Sequence, residues 1–439
     1  MKVKNFEIEN YRSLADLKIK DFGTTTVFYG LNNAGKSNVL NALHVIFKKK
    51  PKLSIETQTL SDLENFYSGV LPDFGNNYHN NTSNSIKFKV VLEVRSAELD
   101  IDSNVSKLFS KSTTHDFEFL GTISKQEPFE HNYSEMKINQ VSVGSKVVYK
   151  QNESGFFYFP TLDKSRKNQS QLNQSFTRIM DVFNDCVHVI PSERDMLETN
   201  STDERYQIEL LNAKEYVING DKEKAILLLD SLTKKPESSA GPYQLNSKSF
   251  KKFLYNLYLS PQKHHLFEVI DKTFASEPFT FGNISFSKEK DILDIMVNEG
   301  SFRLPIKHLG SGVMQSLFII TSIVCSKSKI ICIEELEQNL SPNLQYQILS
   351  KIQQLIKNGQ FDQLILSSHT SVYSKPKLGV IYFLEKVHGK TKISEKEKET
   401  VSDKVKGHFV HANFEPGTYK SKAEYEDFKK IIMPNRSFY

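Results

Sequence analysis

The chain has 439 residues, of which 38% are hydrophobic and 25% charged, and its formal net charge is +5. This length allows two or three domains, and the longest apolar stretch, LFIITSIVC, is too short to span a bilayer. A charge of +5 permits contact with nucleic acid, but a dedicated nucleic-acid-binding protein usually concentrates basic residues far more strongly.

The N-terminus and the cysteines indicate a cytoplasmic globular protein. The first ten residues carry charges where a signal peptide has its apolar segment. Cys186, Cys325 and Cys332 have no metal-ligand spacing, and two of them lie in apolar runs. We therefore expect buried, reduced cysteines.

The first fifty residues predict strands followed by a loop and a helix. Residues 4–11 and 15–22 alternate between apolar and polar side chains, as half-exposed strands do. Residues 24–30 (TTTVFYG) form an apolar, β-branched run that ends at a glycine, and residues 37–49 have apolar side chains at helical spacing. A strand, a loop and a helix are the context that a phosphate-binding loop requires.

The loop itself, GLNNAGKS at 30–37, matches the pattern G-x-x-x-x-G-K-[ST]. Its glycines let backbone N–H groups approach phosphate oxygens, and the following helix N-terminus favours negative charge. Lys36 is expected to reach the β- and γ-phosphates of ATP, and Ser37 to place its hydroxyl on Mg²⁺. The predicted nucleotide-binding residues here are Gly30, Asn32, Asn33, Gly35, Lys36, Ser37 and Asn38.

The chain between about 50 and 300 has a different character. Residues 85–95 predict a strand, and the polar, Asn- and Ser-rich stretches after it predict loops. Residues 204–235 and 248–259 predict helices separated by a loop. Without an internal repeat or a long heptad run, the sequence predicts a compact, partly helical insertion rather than a long coiled coil.

From about residue 280 strands resume, and the pattern then alternates between helix and strand. The segments 279–287, 291–297 and 301–312 predict strands. They are followed by a helix, a strand, a helix and a strand over 313–369, which is typical of a parallel sheet covered by helices. Residues 379–386 predict a further strand, and 421–432 a short terminal helix.

Two carboxylates, Glu334 and Glu335, follow the apolar strand KIICIEE. They are expected at the carboxyl edge of the sheet, where open α/β folds bind ligands. Glu334 is suited to holding Mg²⁺, and Glu335 to orienting or deprotonating an attacking water. Acids after a strand are often only a solvated strand end, but a phosphate-binding loop in the same chain favours the functional interpretation.

Two further segments are candidates for the same site. Ser311 and Gly312 precede a predicted helix and form either an ordinary helix cap or a second phosphate-binding terminus, which would meet ATP held by another subunit. His369 ends the strand after the Glu334 strand, so it is expected at the neighbouring strand end, within reach of a γ-phosphate.

Five stretches in this order resemble the ATP-binding cassette (ABC) ATPases of chromosome maintenance and DNA repair. They are KNFEIENYRSL, GLNNAGKSNVLNAL, LGSGV, CIEELEQNLSP and LSSHTS, and they cover about the first 50 residues and 300–385. The resemblance is greatest to the overcoming-lysogenization-defect-like (OLD-like) AAA branch, which occurs in many bacterial antiphage systems.

The resemblance implies an α/β fold, an ABC-type P-loop ATPase head with a mixed sheet flanked by helices and interrupted by the insertion. The expected divisions are 1–50 for the N-terminal part of the head, 51–280 for remaining strands plus insertion, 281–400 for the C-terminal part, and 401–439 for the tail. Two heads would sandwich two nucleotides as a homodimer or higher homo-oligomer, with Lys36 and Ser37 of one head facing Ser311 and Gly312 of the other. The resemblance also assigns Glu334 to Mg²⁺, Glu335 to the catalytic base and His369 to the γ-phosphate switch.

The chain departs from the family pattern in several places. Leu336, Asn339 and Ser341 stand where a proline and two histidines are usual, and Gly310 stands where the cassette signature has serine. The loop glutamine that normally senses Mg²⁺ has no identifiable counterpart, and Arg194 resembles a recurrent element without an assigned role. The catalytic minimum is present, so we expect ATP hydrolysis, whether at an ordinary or a slow rate.

The resemblance leaves three functional interpretations. Nucleases of this branch carry a topoisomerase-primase (TOPRIM) domain with an Asp-x-Asp metal site, whereas the seventy residues after His369 contain no Asp-x-Asp. We therefore expect a stand-alone ATPase, not itself a nuclease, that senses phage or nucleic acid and controls a separately encoded effector, often a nuclease. The alternatives are a repair or recombination ATPase acting on DNA ends and, less favoured by the Glu-Glu pair, a transporter subunit; we expect no membrane partner.

DNA contact has limited support in the sequence. The basic stretches are 47–52, 162–169 and 251–265, the last with aromatic residues interleaved. Each is equally typical of a solvated helix face.

Overall fold

The computed structural model describes residues 1–48, 68–71, 79, 85–102, 105–109, 111–125, 134–151, 157–158, 175, 178–192, 194, 250–289, 292–370 and 379–393. The predicted helices over 204–235 and 421–432 and the loop between 235 and 249 lie outside these ranges. The basic stretch 162–169 and most of 47–52 also lie outside them.

Strands and helices of the described residues are numbered in chain order. The strands are β1 (Lys2–Tyr11), β2 (Leu14–Ile19), β3 (Thr25–Tyr29), β4 (Ser68–Leu71), β5 (Ser85–Arg95), β6 (Thr114–Lys125), β7 (Ser134–Val143), β8 (Lys146–Gln151), β9 (Phe157–Tyr158), β10 (Val187–Ile190), β11 (Asn283–Glu289), β12 (Ile292–Glu299), β13 (Phe302–Pro305), β14 (Ile330–Glu334), β15 (Gln363–Ser368), β16 (Val380–Val387) and β17 (Lys390–Ile393). The helices are α1 (Lys36–Phe47), α2 (Phe250–Leu259), α3 (His264–Ala275), α4 (Ser311–Cys325) and α5 (Pro342–Lys357).

The chain divides into two compact units. The first lies within Met1–Ser192 and Lys327–Tyr439, and the second within Glu193–Ser326. The first unit therefore combines segments from both ends of the sequence.

A largely parallel sheet in the first unit has the strand order β10–β14–β15–β3–β16–β17. The strands from β10 to β16 run parallel, and β17 returns antiparallel to β16. Every residue of β3, β14 and β15 is buried, in keeping with the apolar runs of parallel strands that are covered on both faces. This arrangement confirms the predicted α/β class and the predicted strand at 379–386.

An antiparallel sheet in the same unit has the order β2–β1–β5–β6–β7–β8–β9, with β4 beside β7. The prediction of loops after residue 95 is wrong for most of 114–151, where β6, β7 and β8 lie. Their inward positions are mostly apolar, whereas many of their outward positions are polar. Pairing satisfies their backbones: β6 pairs with the long strand β5, β7 with β6 and β8 with β7. The polar residues on the solvent face therefore explain why the sequence predicted loops in place of these three strands.

Helix α1 belongs to the core that joins the two sheets of the first unit. Its buried side chains include Val39, Leu40 and Leu43, which share one hydrophobic cluster with residues of both sheets. At its C-terminus the ring of Phe47 packs edge-on against Phe119 of β6, with 5.7 Å between ring centroids. The helix that follows the glycine-rich loop therefore packs into the core of the first unit along its length.

The second unit contains α2, α3 and α4 with the three-stranded antiparallel sheet β11–β12–β13. Phe250 of α2 packs on Phe318 of α4 with ring centroids 5.3 Å apart, and Tyr255 of α2 lies 5.2 Å from Phe286 of β11. Residues 315–325 of α4 are all buried, as its apolar sequence predicts. The predicted helix over 248–259 is confirmed by α2, and the predicted strands at 279–287 and 291–297 by β11 and β12. The strand predicted at 301–312 is wrong beyond Pro305, since a helical turn follows at Ile306–His308 and α4 begins at Ser311.

Cys186, Cys325 and Cys332 are buried free thiols, as predicted, and burial raises the pKa of each. Among the residues that the structure describes, none of the helices is both long and apolar enough to cross a membrane.

Candidate nucleotide site

The glycine-rich loop connects β3 to α1 through a tight, partly left-handed backbone. Asn33 has φ 67° and Gly35 has φ 96°, and the N–H of Ala34 donates to the carbonyl of Leu31 at 3.1 Å. Gly35 caps α1, and no side chain accepts a hydrogen bond from the helix at this cap. The first N–H groups of a helix lack partners within it, so this end of α1 offers donors to an anion.

Two glycines of the loop lie where a side chain would collide with the C-terminal hairpin β16–β17. A Cβ atom on Gly30 would be 2.3 Å from the Leu384 carbonyl oxygen, and one on Gly35 would be 2.1 Å from the Thr391 hydroxyl oxygen. Thr391 also donates to the carbonyl of Ala34 at 3.0 Å. The loop therefore rests directly on the hairpin, and its shape and N–H donors fit a phosphate group.

Lys36 turns back onto its own loop in this structure. Its Nζ donates to the carbonyl oxygens of Gly30 and Leu31 at 2.9 and 3.0 Å. Burial lowers the pKa of Lys36, while the nearby carboxylates of Glu335 and Glu337 act in the opposite direction. The ammonium group thus lies within the loop and close to the acidic turn after β14.

Glu334, the last residue of β14, is buried and touches helix α1. Its Oε1 accepts a hydrogen bond from Asn41 Nδ2 at 3.2 Å. Ser37 precedes Asn41 by four residues, and residues four apart lie on one face of a helix. The predicted Mg²⁺ ligands Ser37 and Glu334 therefore belong to adjoining surfaces of the first unit, joined through Asn41.

Glu335 follows with φ 42°, a left-handed conformation that is uncommon for a residue with a side chain. Its N–H donates to the hydroxyl of Ser367 on β15 at 3.2 Å. The backbone turns sharply at the end of β14, and β15 fixes the turn. The side chain predicted to act as base thus sits where strained backbone is often found at functional sites.

His369 arrives beside the acidic turn, as the order of elements predicts. Strand β15 pairs with β14 on one side and β3 on the other, with Ser367 opposite Glu334 and Ser368 opposite Tyr29. The ring Nδ1 of His369 lies 3.1 Å from Oε1 of Glu337. The glycine-rich loop, the acidic pair and His369 therefore follow three neighbouring strands at the carboxyl edge of one sheet.

The described residues contain no group of three or more His, Cys, Asp or Glu side chains placed to hold a metal ion by themselves. A site with Ser37 and Glu334 as chain ligands suits Mg²⁺ in a nucleotide complex, because this ion keeps water and phosphate oxygens in its shell.

Comparison with known families decides the class of this site. A family model for an AAA ATPase domain matches residues 1–372, which include the loop, the acidic pair and His369. The chain belongs to this family.

Other comparisons add little to the AAA ATPase assignment. No curated protein matches the chain. Among solved structures, the Smc head domain of Pyrococcus furiosus bound to the C-terminal domain of ScpA is 14% identical, with a TM-score of 0.41 and coverage of 92% of this chain and 98% of that one. An SmcHead bound to the C-winged helix domain of ScpA is 13% identical, with a TM-score of 0.39 and coverage of 90% and 97%. The SMC head domain of Thermotoga maritima is 12% identical, with a TM-score of 0.35 and coverage of 90% and 100%.

The remaining predicted residues of the AAA ATPase domain lie in the second unit. Ser311 and Gly312 begin α4 after Gly310, which has φ 94°, and Ser311 is exposed. The Ser311 side chain does not cap its own helix, and the Ser316 hydroxyl donates to the Gly312 carbonyl at 2.7 Å. Arg194 is 1% exposed.

Sequence reasoning missed several polar residues that shape the site. Glu337 is the third acid in EELE, and its place shortly after the strand is the sequence signal that could have identified it as a site residue. Thr391 and Asn41 carried no local signal, because their roles depend on contacts with residues far away in the chain. Lys386 contacts the loop through Asn33, with 3.2 Å between Nζ and Oδ1.

Proposed function

We propose that this AAA ATPase domain binds ATP with Mg²⁺ and hydrolyses it to ADP and phosphate at the carboxyl edge of the parallel sheet. The observation that carries the proposal is the register of three neighbouring strands. β3 leads into the glycine-rich loop, β14 into Glu334 and Glu335, and β15 into His369.

Each residue has a distinct role in this proposal. Lys36 leaves the loop carbonyls to bind the β- and γ-phosphate oxygens, and the N-terminal turn of α1 binds the remaining charge. Ser37 and Glu334 hold Mg²⁺, which when bound neutralises charge on the phosphates. Glu335 orients a water molecule and accepts its proton, while His369 contacts the γ-phosphate.

Two substitutions separate binding from hydrolysis. Lys36→Ala should lose ATP binding, because it removes the cation inside the loop. Glu335→Gln should bind ATP with an affinity near that of the wild type and lose hydrolysis about 100-fold or more, because an amide cannot accept the proton. Binding is measured by calorimetry and turnover by phosphate release.

Hydrolysis by Glu335→Gln at the wild-type rate would remove Glu335 from the base role. Glu268→Gln is a matched control, since Glu268 is an exposed acid on α3. It should change neither binding nor turnover.

We also propose that two heads act together as a homodimer or higher homo-oligomer. In this arrangement Ser311 and Gly312 of one subunit bind the γ-phosphate of ATP held by the other. Support comes from the exposed start of α4 and from the resemblance of LGSGV to a cassette signature. The 281–400 segment would then contribute Ser311 and Gly312 to one nucleotide and Glu334, Glu335 and His369 to the other, while the loop at 30–37 completes each site.

Finally, we propose that the nucleotide state controls a separately encoded effector, such as a nuclease, in bacterial antiphage defence. Support comes from the OLD-like order of motifs around a family-variable insertion. The test is to purify the full chain with the products of neighbouring genes, with and without ATP, and to identify proteins that co-elute. Stimulation of ATPase activity by DNA ends, without such a partner, would instead favour the repair interpretation.

A further inference from the structure

Glu337 is a buried acid to which the predicted roles assign nothing. It lies in the turn after β14, three residues beyond Glu334, and its side chain is 6% exposed. Acids are seldom buried to this extent unless they are paired or hydrogen-bonded.

One oxygen of Glu337 gathers three groups from the end of the neighbouring strand β15. Oε1 accepts from the Ser368 hydroxyl at 2.8 Å and from the backbone N–H of His369 at 2.7 Å. The ring Nδ1 of His369 lies 3.1 Å from the same oxygen. Glu337 therefore fixes both the backbone and the ring of the histidine.

The ring contact has a chemical consequence. A carboxylate accepts hydrogen bonds, so its neighbour Nδ1 carries the proton. Nε2 then remains as the ring atom that can face another group, and the ring is 44% exposed, so that group can reach it. Imidazole nitrogens are distinguished in this way by the bond that the opposite nitrogen makes.

The second carboxylate oxygen is evidence that Glu337 does more than join the turn after β14 to the end of β15. Oε2 of Glu337 is buried and has no hydrogen-bond partner in the part of the chain that the structure describes. An unsatisfied buried oxygen costs stability, and smaller neutral side chains could also join the two turns. The chain has an acid at this position although an apolar or amide side chain would cost less stability.

We propose that Glu337 is a positioning residue that sets the proton of His369 on Nδ1 and aims its Nε2 for contact with the γ-phosphate. This inference rests on the proposed ATPase function, in which His369 contacts that phosphate. Glu337 itself touches no substrate and acts through the histidine.

The first experiment is a double-mutant cycle on ATP turnover by the full chain. Glu337→Gln keeps the size of the side chain and an oxygen acceptor, and removes the charge. It should lower kcat about tenfold or more and leave KM for ATP within about twofold, a loss typical of residues that orient a functional ligand. In a His369→Ala background, Glu337→Gln should cause no further loss, and Glu268→Gln should match the wild type throughout.

Two outcomes of the cycle overturn the proposal. One is wild-type kcat in Glu337→Gln. The other is a loss in the double variant equal to the product of the two single losses, because Glu337 would then act independently of His369.

A second experiment does not depend on turnover. The histidine ring nitrogens of the ¹⁵N-labelled, nucleotide-free full chain are observed by NMR, and the His369 signals are those that disappear in His369→Ala. We expect a proton on Nδ1 in the wild type and a shift towards Nε2 in Glu337→Leu, which offers Nδ1–H no acceptor. If this pattern holds and the wild type hydrolyses no ATP, the ATPase proposal fails while the positioning of His369 stands. A proton on Nε2 in the wild type, or no change in Glu337→Leu, overturns the inference whatever the turnover.

Discussion

At the scale of single residues, the site depends on backbone conformations that few side chains tolerate. Asn33, Gly35 and Glu335 all have positive φ, and Gly35 also lies against the Thr391 hydroxyl. The glycine pattern of the loop therefore reflects two separate requirements. One is a left-handed turn at the start of α1, and the other is close approach to the hairpin β16–β17.

Substitution of Gly35 tests these two requirements. Gly35→Ala should weaken ATP binding about tenfold or more, because the added methyl group displaces either the loop or Thr391. Gly144→Ala is the matched control: Gly144 has φ 58° with no atom within 4 Å of an added Cβ, so this variant incurs only backbone strain. Calorimetric titration with ATP measures both, and equal affinities would contradict the proposed close packing.

At the scale of elements, the hairpin β16–β17 lies directly against the glycine-rich loop. Thr391 donates to Ala34, its hydroxyl lies 2.7 Å from that of Ser13, and Ser13 accepts from Asn38 at 2.8 Å. Thr391 lies on β17, which was not predicted from the sequence, and it connects the turn between β1 and β2, the loop and α1. Any displacement of the hairpin would be transmitted to the glycine-rich loop, which we propose binds phosphate.

Strand β10 carries His188 and helix α1 carries His44. These two side chains make the stability of the folded protein sensitive to acid. Burial and the neighbouring His44 lower the pKa of His188 to about 4, and burial lowers the pKa of His44. His44 Nδ1 also lies 3.2 Å from the Val187 carbonyl oxygen. Just below the usual histidine pKa, both rings are therefore neutral in the folded protein, whereas the same histidines of the unfolded chain are already protonated.

The sign of the pH effect follows from this difference. Between an unfolded pKa of about 6.5 and a folded pKa of about 4, the unfolded chain binds more protons, so stability falls as pH decreases. His188 should account for about 1 kcal/mol of the loss in unfolding free energy from pH 7.5 to 5.5. Urea unfolding of His188→Gln should show a loss smaller by that amount, whereas His265→Gln, at an exposed site on α3, should behave as the wild type.

At the scale of the whole molecule, the candidate nucleotide site of the first unit is assembled from distant segments of the chain. The loop comes from residues 30–37, the acidic turn from 334–337 and the hairpin against the loop from 380–393, and the second unit lies in the sequence between the loop and the acidic turn. Ser311 and Gly312 belong to that second unit. The proposed sandwich of two heads would place them against nucleotide of another subunit.

The oligomer proposal has a direct test in solution. Glu335→Gln with ATP and Mg²⁺ should shift the molar mass from 50.4 kDa to about twice that value, because uncleaved ATP keeps the two heads together. Light scattering after size exclusion measures the shift. Ser311→Arg, which places a bulky side chain at the start of α4, should prevent it, and Lys36→Ala should not dimerise with ATP. A monomer in Glu335→Gln at saturating ATP would contradict the sandwich.

The sequence alone determined the loop, the strands that lead into the candidate residues and the order of helices and strands after residue 311. These features are local: apolar runs predict buried strands, and the glycine-lysine spacing predicts a phosphate cradle. Tertiary structure decided which distant residues meet them. Thr391 under the loop, Asn41 on Glu334 and Glu337 on His369 are contacts across neighbouring strands and helices, and no spacing along the chain encodes them. The strands β6 to β8 were missed for the same physical reason, since their stability comes from pairing with neighbouring strands, in the order β5–β6–β7–β8, rather than from their own partly polar sequence.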